Sequence, residues 1–509
     1  MRLSLANGLL AILGPIAIAC ALWRLQANTA GVDIRPMDIA GTPATIYRPA
    51  SGALGPVVVI AHGFAGSGRL MQSFALTFAR NGYVAATFDF PGHGRNPTPL
   101  TGDLEHVEGA TRVLVAETAK VAAAVRGLGD GRLAVLGHSM ASDIVVRFAE
   151  SDPDVAATIA VSMFSPAVTR TAPKNLLVIV GDWEGFLKTE ALRAVSLATA
   201  PAAPEPGVTY GAIGEGTGRR VAFSPHVEHA SVLFSQASMR EALAWLDQTF
   251  GVVRSTPPAI DDRGPWILVL LAGGVALARP LSTLLPAVAI PKTGAGLGWR
   301  RLAGPLAIPM IATPILLRFA PTHFLPVLVA DYLAVHFAVY GLIAAIMLVW
   351  ARRLGGAAAR AAVSIPALAA VAAAITAYGF VALVWPIDSF VTSFVPGRER
   401  VALVAALMIG TALYFLSDEW LTRGPGAGRG AYPASKLAFL ASLALAIALD
   451  FERLFFLILI VPVIAVFFVV HGLFSGWAYR RTGHPFAAGI ANAIAFAWAI
   501  GVTFPLVAG

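Results

Sequence analysis

The chain divides into two stretches with different patterns of apolar positions. Between about residue 30 and residue 255, short apolar runs alternate with longer stretches of mixed apolar and polar residues. From Trp266 onward, long apolar runs are separated by short clusters of charged residues, glycine and proline. The first pattern is typical of a soluble domain and the second of helices that cross a membrane.

The soluble stretch alternates predicted strands with predicted helices. Strands are expected at residues 57–61, 83–89, 133–136, 158–162, 176–180 and 221–224, and helices at 71–81, 107–126, 142–148 and 239–250. Strands that alternate with helices indicate an α/β fold with a doubly wound, mostly parallel sheet.

The apolar stretch predicts an all-α, polytopic transmembrane domain. A span needs about 20 apolar residues, which gives about eight candidates after the soluble domain. They lie near 266–286, 302–320, 327–350, 362–386, 401–417, 436–450, 454–474 and 485–507, the sixth being the shortest and least secure. A further apolar run at 9–23 is interpreted as an uncleaved signal anchor rather than as a cleaved signal peptide.

These patterns define the expected domain boundaries. Residues 1–29 form the N-terminal anchor and residues 30–253 the α/β domain. Residues 254–265, rich in proline and charged residues, form a linker, and residues 266–509 form the transmembrane domain.

Composition agrees with a membrane protein. The 509 residues are 57% hydrophobic and only 13% charged. The net charge of +8 does not indicate nucleic-acid binding, because the basic residues form no patch with interleaved aromatic residues. The single cysteine, Cys20, excludes an intramolecular disulfide.

The basic residues also predict the orientation of the chain. With the N-terminus inside, the inner loops carry twelve Lys or Arg residues and the outer ends five. The inner set is Arg279, Lys292, Arg300, Arg301, Arg352, Arg353, Arg360, Arg423, Arg429, Lys436, Arg480 and Arg481, and the outer set is Arg24, Arg318, Arg398, Arg400 and Arg453. Because positive loops stay in the cytoplasm, we expect a multi-pass protein of the cell (inner) membrane whose soluble domain lies outside, in the periplasm of a bacterium.

The segment Gly137-His138-Ser139-Met140-Ala141 is the strongest chemical signal. It follows an apolar run and precedes a helical pattern, and a serine on such a strand–turn–helix is the context of a nucleophile elbow. Small residues flank the serine because the turn is tight, although Ala141 stands where glycine is usual.

Three further motifs complete a resemblance. His62-Gly63-Phe64 follows the first buried strand, Asp89-Phe90-Pro91-Gly92-His93-Gly94 follows the next, and Val227-Glu228-His229 follows a late strand. Together with the serine elbow, and in this order, residues of about 40–250 resemble an α/β-hydrolase of the serine esterase or lipase type. The order of serine, acid and histidine along the chain is that of this family.

The resemblance implies roles for particular residues. Ser139 is the expected nucleophile and His229 the base that accepts its proton. The backbone N–H groups of Phe64 and Met140 are expected to bind the oxyanion. His226 competes with His229, and Ser142, His62, His93 and His138 are interpreted as structural.

Two carboxylates compete for the role of the acid that orients the histidine. Both follow the strand at 176–180, in the segment Gly181-Asp182-Trp183-Glu184. The acid of the family commonly lies three residues after such a glycine, which favours Glu184, whereas Asp182 lies nearer the strand end. No carboxylate follows the preceding strand, at Ser162-Met163-Phe164-Ser165.

The expected function is a membrane-anchored serine hydrolase that cleaves carboxylic esters or thioesters through an acyl-enzyme on Ser139. No metal or cofactor is expected, because no His, Cys and carboxylate grouping has metal-ligand spacing. The expected partners are a small-molecule or lipid ester and the membrane lipids, with no nucleic acid. Two alternatives are an acyltransferase that uses the same acyl-enzyme and a non-catalytic binding module on a transporter-like membrane domain.

Overall fold

Nine strands form one sheet in this computed structural model, which describes residues 4–103, 107–199, 203–353 and 361–508. The strands are β1 (Val32–Ile39), β2 (Thr42–Pro49), β3 (Val57–Ala61), β4 (Val84–Phe88), β5 (Leu133–His138), β6 (Val155–Val161), β7 (Leu176–Gly181), β8 (Thr209–Tyr210) and β9 (Arg219–Ser224). Their order in the sheet is β1-β2-β4-β3-β5-β6-β7-β9-β8. The run from β4 to β9 is parallel, and β1, β2 and β8 are antiparallel to their neighbours.

Helix α1 (Leu5–Ala27) precedes the sheet, and five helices cover it: α2 (Gln72–Arg80), α3 (Arg112–Val125), α4 (Met140–Ser151), α5 (Gly185–Thr199) and α6 (Gln236–Phe250). Helices α2 and α6 pack on one face of the sheet, and α3, α4 and α5 on the other. All five residues of β3 are buried because both faces are covered, as in doubly wound sheets. The predicted fold class is confirmed.

The hairpin of β1 and β2 is absent from the prediction. Ile39 pairs with Thr42, so Ala40 and Gly41 form the turn, and both have positive φ, at 48° and 87°. The type I′ turn of a two-residue hairpin requires positive φ at both residues and usually uses Asn-Gly or Asp-Gly. The Ala-Gly pair and the proline within β1, Pro36, concealed the hairpin in the sequence.

The described residues after the soluble domain form ten α-helices: α7 (Arg263–Leu281), α8 (Trp299–Leu317), α9 (Ala330–Arg353), α10 (Ile365–Gly379), α11 (Trp385–Phe390), α12 (Arg398–Thr422), α13 (Ala431–Leu449), α14 (Phe451–Leu454), α15 (Leu457–Thr482) and α16 (Phe486–Thr503). Two short strands, β10 (Ala289–Ile290) and β11 (Ala362–Val363), pair between them. Helices α10 and α11 are joined by a π-helical segment, Phe380–Val384, into one apolar stretch.

Eight helical segments of the described residues are long and apolar enough to cross a membrane. One is α1, so seven lie in the C-terminal part, where the sequence predicted about eight. The predicted span that is missing from the seven is the one near 302–320, which corresponds to α8. Two arginines near its start and three prolines, Pro305, Pro309 and Pro314, lower its mean hydropathy. The short sixth candidate is α13, with 19 residues, and it is among the eight.

The predicted inner loops contact one another at one end of the helix bundle. The N–H of Val288 donates to the Thr482 carbonyl, and the N–H of Gly296 to the Arg423 carbonyl. Lys436, counted above with these loops, lies instead inside α13, where it is buried and forms an ion pair with Asp418.

The sheet contacts the opposite end of the bundle. Helix α12 runs from one end of the bundle to the other. At its first turn, Arg400 donates to the carbonyl of Gly92 in the α/β domain, and after its last turn Arg423 lies among the basic loops. The C-terminal segment also adds to this contact, since the N–H of Leu100 donates to the Leu506 carbonyl and the N–H of Leu506 to the Gly92 carbonyl. The basic loops and the α/β domain therefore lie on opposite sides of the bundle.

Candidate active site

Ser139 lies on a tight turn between β5 and α4. Its φ of 54° and ψ of −120° are unusual for a residue with a side chain, and such strain is characteristic of a nucleophile elbow. A Cβ atom at Gly137 would overlap the carbonyl oxygen of Ala141, so the turn requires glycine at this position. The turn projects the serine from the carboxyl end of the sheet.

Three side chains from separate loops form a chain of hydrogen bonds. Nε2 of His229 lies 2.9 Å from Oγ of Ser139, and Nδ1 of His229 lies 2.6 Å from Oε1 of Glu184. Glu184 follows β7 and His229 follows β9, so the parallel strands bring both to the edge where Ser139 lies. With the proton on Nδ1, the imidazole donates to the carboxylate and accepts from the serine hydroxyl.

The geometry distinguishes the two candidate acids. Oε2 of Glu184 accepts hydrogen bonds from Oγ of Ser162, at 2.8 Å, and from the N–H of Gly181, at 2.7 Å. Asp182 is exposed and forms a salt bridge with Lys188 at 2.8 Å, and the hydrogen bond from Lys188 lowers the pKa of the Asp182 carboxyl. Glu184, and not Asp182, is therefore the carboxylate that contacts His229.

Ser162 is a site residue that the sequence did not reveal. It follows β6, where no carboxylate was found, and its φ of 52° turns the chain so that its hydroxyl reaches Glu184. The only signal was its place at the end of a central strand. The segment from Ser162 to β7 contains turns and no helix.

The remaining candidate serine and histidines lie away from this hydrogen-bond chain or support it through the backbone. His226 is exposed, whereas Ser142 donates from Oγ to the carbonyl of Ser139. Nε2 of His138 lies 2.9 Å from the carbonyl oxygen of His229 and donates to it. Burial lowers the pKa of His138 well below its usual value, so the ring is neutral at neutral pH.

His62 and His93 are neutral residues that shape the loops beside the serine. The N–H of Phe90 donates to Nε2 of His62, and Nδ1 of His62 lies 2.8 Å from the Gly63 carbonyl. Burial lowers the pKa of His62 to about 4 and that of His93 to about 3. Neutral His62 accepts from Phe90, and protonation of Nε2 would remove this hydrogen bond.

The loop after β3 approaches the serine closely. A Cβ at Gly63 would lie 3.0 Å from Cβ of Ser139, so only glycine allows this approach without displacing either residue. Among the described residues, neither the N–H of Phe64 nor that of Met140 has a hydrogen-bond acceptor. Two free donors at the edge that carries Ser139 are what an oxyanion-binding site requires.

The membrane domain contacts both loops that flank the site. The ring of Phe64 stacks on that of Phe456, with 4.4 Å between ring centroids, and meets the edge of Phe504 at 6.4 Å. Buried Arg400 donates from Nη2 to the carbonyl of Gly92, in the loop after β4. The turn that exposes this carbonyl is held by Asp89, which accepts from the N–H groups of Gly68 and Arg95, both at 2.7 Å.

Within the part of the chain that the structure describes, no group of three or more His, Cys, Asp or Glu side chains is placed to hold a metal ion. The expectation of a metal-free, cofactor-free site stays a prediction.

The sheet order, the serine elbow after β5 and the later acid and histidine define an α/β-hydrolase fold. The protein thus combines an α/β-type hydrolase domain with a set of helices that are able to span a membrane. Residues 54–194 match the family model of serine aminopeptidase, S33, which covers less than half of the chain.

Solved structures are similar to the chain at low sequence identity. TT1662 from Thermus thermophilus is 18% identical with a TM-score of 0.33, and the alignment covers 44% of this chain and 99% of that protein. A dienelactone hydrolase from Anabaena variabilis is 16% identical with a TM-score of 0.31, over 43% of this chain and 97% of that protein. No curated protein sequence is significantly similar.

Proposed function

We propose that the protein is a membrane-anchored serine hydrolase that cleaves carboxylic esters or thioesters through an acyl-enzyme on Ser139. The observation that carries this proposal is the continuous hydrogen-bond chain from Ser139 through His229 to Glu184. The two unoccupied N–H groups of Phe64 and Met140 support it, because they complete the set of groups that acyl transfer needs.

Each group has one task in the proposed reaction. Oγ of Ser139 attacks the carbonyl carbon while Nε2 of His229 takes its proton, and Glu184 stabilises the imidazolium that forms. The N–H groups of Phe64 and Met140 bind the negative oxygen of the tetrahedral intermediate. Removing one such donor costs about 10²–10³ in kcat in other acyl-transfer enzymes.

The acyl-enzyme is then hydrolysed by the same groups. The alcohol or thiol leaves with the proton that His229 holds, and the acyl group remains on Ser139. A water molecule gives its proton to His229 and attacks the acyl carbonyl, and the collapse of the second intermediate returns the proton to Ser139. The net reaction is ester plus water to acid plus alcohol.

The proposal places the protein in the cell membrane with the hydrolase domain outside. The distribution of basic residues supports this orientation, because the loops rich in Lys and Arg lie at the end of the bundle away from the sheet.

Fluorophosphonate labelling of membranes that contain the full chain tests the proposal, since this probe reacts with activated serines. We expect labelling of the wild type, loss in Ser139→Ala and His229→Ala, and full labelling of His226→Ala, whose histidine is exposed. The absence of labelling in a folded wild-type protein would overturn the proposal. Retained labelling in Ser139→Ala would assign the reaction to another serine.

A substrate panel then distinguishes reaction types. The panel contains short p-nitrophenyl esters, acyl thioesters and aminoacyl p-nitroanilides, with and without an added alcohol. Hydrolysis of the esters or thioesters supports the proposal. Turnover of the anilides alone would show a peptidase, and acyl transfer to the alcohol without acid release would show an acyltransferase.

A further inference from the structure

The edge of the sheet that carries Ser139 faces the ends of the membrane helices. Phe64, after β3, contacts Phe456, and Ser67 Oγ lies 2.9 Å from Thr392 Oγ1. After β9, Phe234 packs against a buried cluster that is formed by residues of α1 and α7. The loops after β3 and β9, which lie on either side of Ser139, therefore contact helices that can cross a membrane.

The outer ends of α1 and α7 show where this membrane surface lies. Arg24, in the last turn of α1, forms a salt bridge with Asp262 at 2.7 Å, immediately before α7 begins. The Arg24 guanidinium also lies 5.4 Å from the centre of the Trp266 ring, and Trp23 is 69% exposed. Tryptophan and arginine at helix ends are typical of the membrane–water interface.

Three exposed aromatic residues occupy the part of the same edge that these helices leave uncovered. Phe164 follows β6, and Trp183 and Phe186 flank Glu184 after β7. They are 54%, 66% and 72% exposed, and the rings of Phe164 and Phe186 stack with 6.1 Å between centroids. We call these three residues the aromatic rim.

The two charged residues next to the aromatic rim in sequence are paired with each other. Asp182 and Lys188, which lie beside it in sequence, neutralise each other in a salt bridge at 2.8 Å. Exposed aromatic rings that stack, as those of Phe164 and Phe186 do, form an apolar patch, and such a patch on a soluble domain marks an interaction site. Aromatic side chains next to membrane helices fit the headgroup region of a bilayer better than water.

We propose that the aromatic rim inserts into the outer surface of the bilayer beside the helix bundle, and that Ser139 acts on the acyl ester of a membrane lipid. This inference rests on the proposed function and adds its substrate class. The lipid ester leaves the bilayer along the aromatic rim, its acyl group transfers to Oγ of Ser139, and the lipid alcohol departs with the proton from His229. Water then releases the fatty acid and restores Ser139.

The position of the aromatic rim is tested by a fluorophore that reports membrane depth. Because Cys20 is the only cysteine, Cys20→Ser provides a background for single labels. We compare two single-cysteine variants of the full chain, Phe186→Cys and Leu54→Cys, each labelled with a nitrobenzoxadiazole dye. The proteins are reconstituted in phosphatidylcholine vesicles that contain spin-labelled lipid. Leu54 is the matched control, because it is 65% exposed but precedes β3 at the opposite edge of the sheet.

We expect a blue-shifted emission and strong quenching by spin-labelled lipid at position 186, and neither at position 54. Equal and weak quenching at both positions would overturn insertion of the aromatic rim. This measurement does not depend on catalysis, so it tests the inference even if the proposed function fails.

The substrate class is tested by kinetics on two kinds of ester. The variant Phe164→Ser/Trp183→Ser/Phe186→Ser is compared with Leu54→Ser on phosphatidylcholine vesicles and on a short soluble ester. We expect the triple variant to lose about tenfold or more in kcat/KM on vesicles, through KM, while its rate on the soluble ester changes by less than about threefold. Retained fluorophosphonate labelling shows that the variant is folded.

The experiments distinguish a failure of this inference from a failure of the proposed function. A wild-type protein that cleaves the soluble ester but no lipid ester overturns the inference and leaves the proposed function intact. A wild-type protein that is not labelled by fluorophosphonate and cleaves neither ester overturns the proposed function itself.

Discussion

The ring of Phe64 stacks on the ring of Phe456, with 4.4 Å between the centroids and 29° between the planes. Phe64 supplies one of the two proposed oxyanion donors, and Phe456 lies immediately before α15 in the membrane domain. Both rings are partly buried and pack against the described hydrophobic core of the membrane domain. The membrane domain therefore supports one of the loops of the candidate site.

Loss of this stacking is expected to slow catalysis without preventing substrate binding. In Phe456→Ala, the loop after β3 loses its apolar support, so the Phe64 N–H is held less firmly toward the oxyanion. Displacing a catalytic group by about 1 Å can lower the rate by up to about 100-fold. We therefore expect kcat on a short ester to fall about tenfold or more, with little change in KM. The matched control is Phe451→Ala, which removes a ring that is 55% exposed. Equal kcat values in the two variants would contradict the prediction.

The two carboxylates after β7 are expected to differ sharply in mutant kinetics. Glu184→Gln removes the charge that stabilises the imidazolium of His229 and allows the wrong tautomer, so kcat is expected to fall by about 10²–10⁴. Asp182→Asn removes only an exposed salt bridge with Lys188, and its kcat is expected to stay within about twofold of wild type. Steady-state kinetics at neutral pH measures kcat of both variants. A larger loss of kcat in Asp182→Asn than in Glu184→Gln would refute the assignment of Glu184 as the acid.

Ser162 is expected to act as a positioning residue through Glu184. In Ser162→Ala, Oε2 of Glu184 keeps only the Gly181 N–H, so the carboxylate is held less firmly toward His229. We expect kcat on a short ester to fall about threefold to tenfold with little change in KM. Ser151→Ala, at the end of α4, is the control. An unchanged kcat in Ser162→Ala would indicate a purely structural role.

Acid is expected to destabilise the hydrolase domain through its buried histidines. Burial lowers the pKa of His62 to about 4, whereas the unfolded chain has the usual value of about 6.5. Between these values the unfolded state binds the proton and the folded state does not, so stability is complete above about pH 6.5 and declines as pH falls toward 4, by about 1.4 kcal/mol per pH unit.

The measurement is the thermal midpoint of the purified full chain between pH 7 and pH 4.5. His62→Gln keeps a hydrogen-bond acceptor for the Phe90 N–H but has no titratable group, so its midpoint is expected to decline less steeply than that of the wild type. Parallel curves for the two proteins would show that His62 does not contribute.

Arg400 is expected to hold the two domains together. Its buried guanidinium donates to the carbonyls of Gly501 and Phe504 in the membrane domain and to that of Gly92 in the hydrolase domain. Arg400→Ala removes three buried hydrogen bonds from a charged donor, and although Gly92 keeps the Leu506 N–H as a donor, we expect the free energy of unfolding to fall by about 2–4 kcal/mol. Arg398→Ala, which removes an exposed arginine of the same helix, is the control. Denaturant titration and limited proteolysis measure the difference, and equal stability of the two variants would refute the role of Arg400.

The sequence alone determined the architecture and two of the three groups in the hydrogen-bond chain. The strand before Ser139 begins as a continuous apolar run, and the glycine two residues before Ser139 is a local requirement of its tight turn. Long apolar runs and clustered basic residues likewise predict membrane helices from local composition. These features depend on neighbours in the chain, so they can be recognised without a structure.

Only the tertiary structure decided which acid contacts His229. Asp182 and Glu184 lie two residues apart in one loop, and their directions depend on Ser162 and Gly181, which bond to Glu184, and on Lys188, which bonds to Asp182. Contacts between Phe64 and Phe456, or Gly92 and Arg400, join residues more than 300 positions apart. No local pattern encodes such pairs, because they arise from the way two separately patterned domains pack on each other.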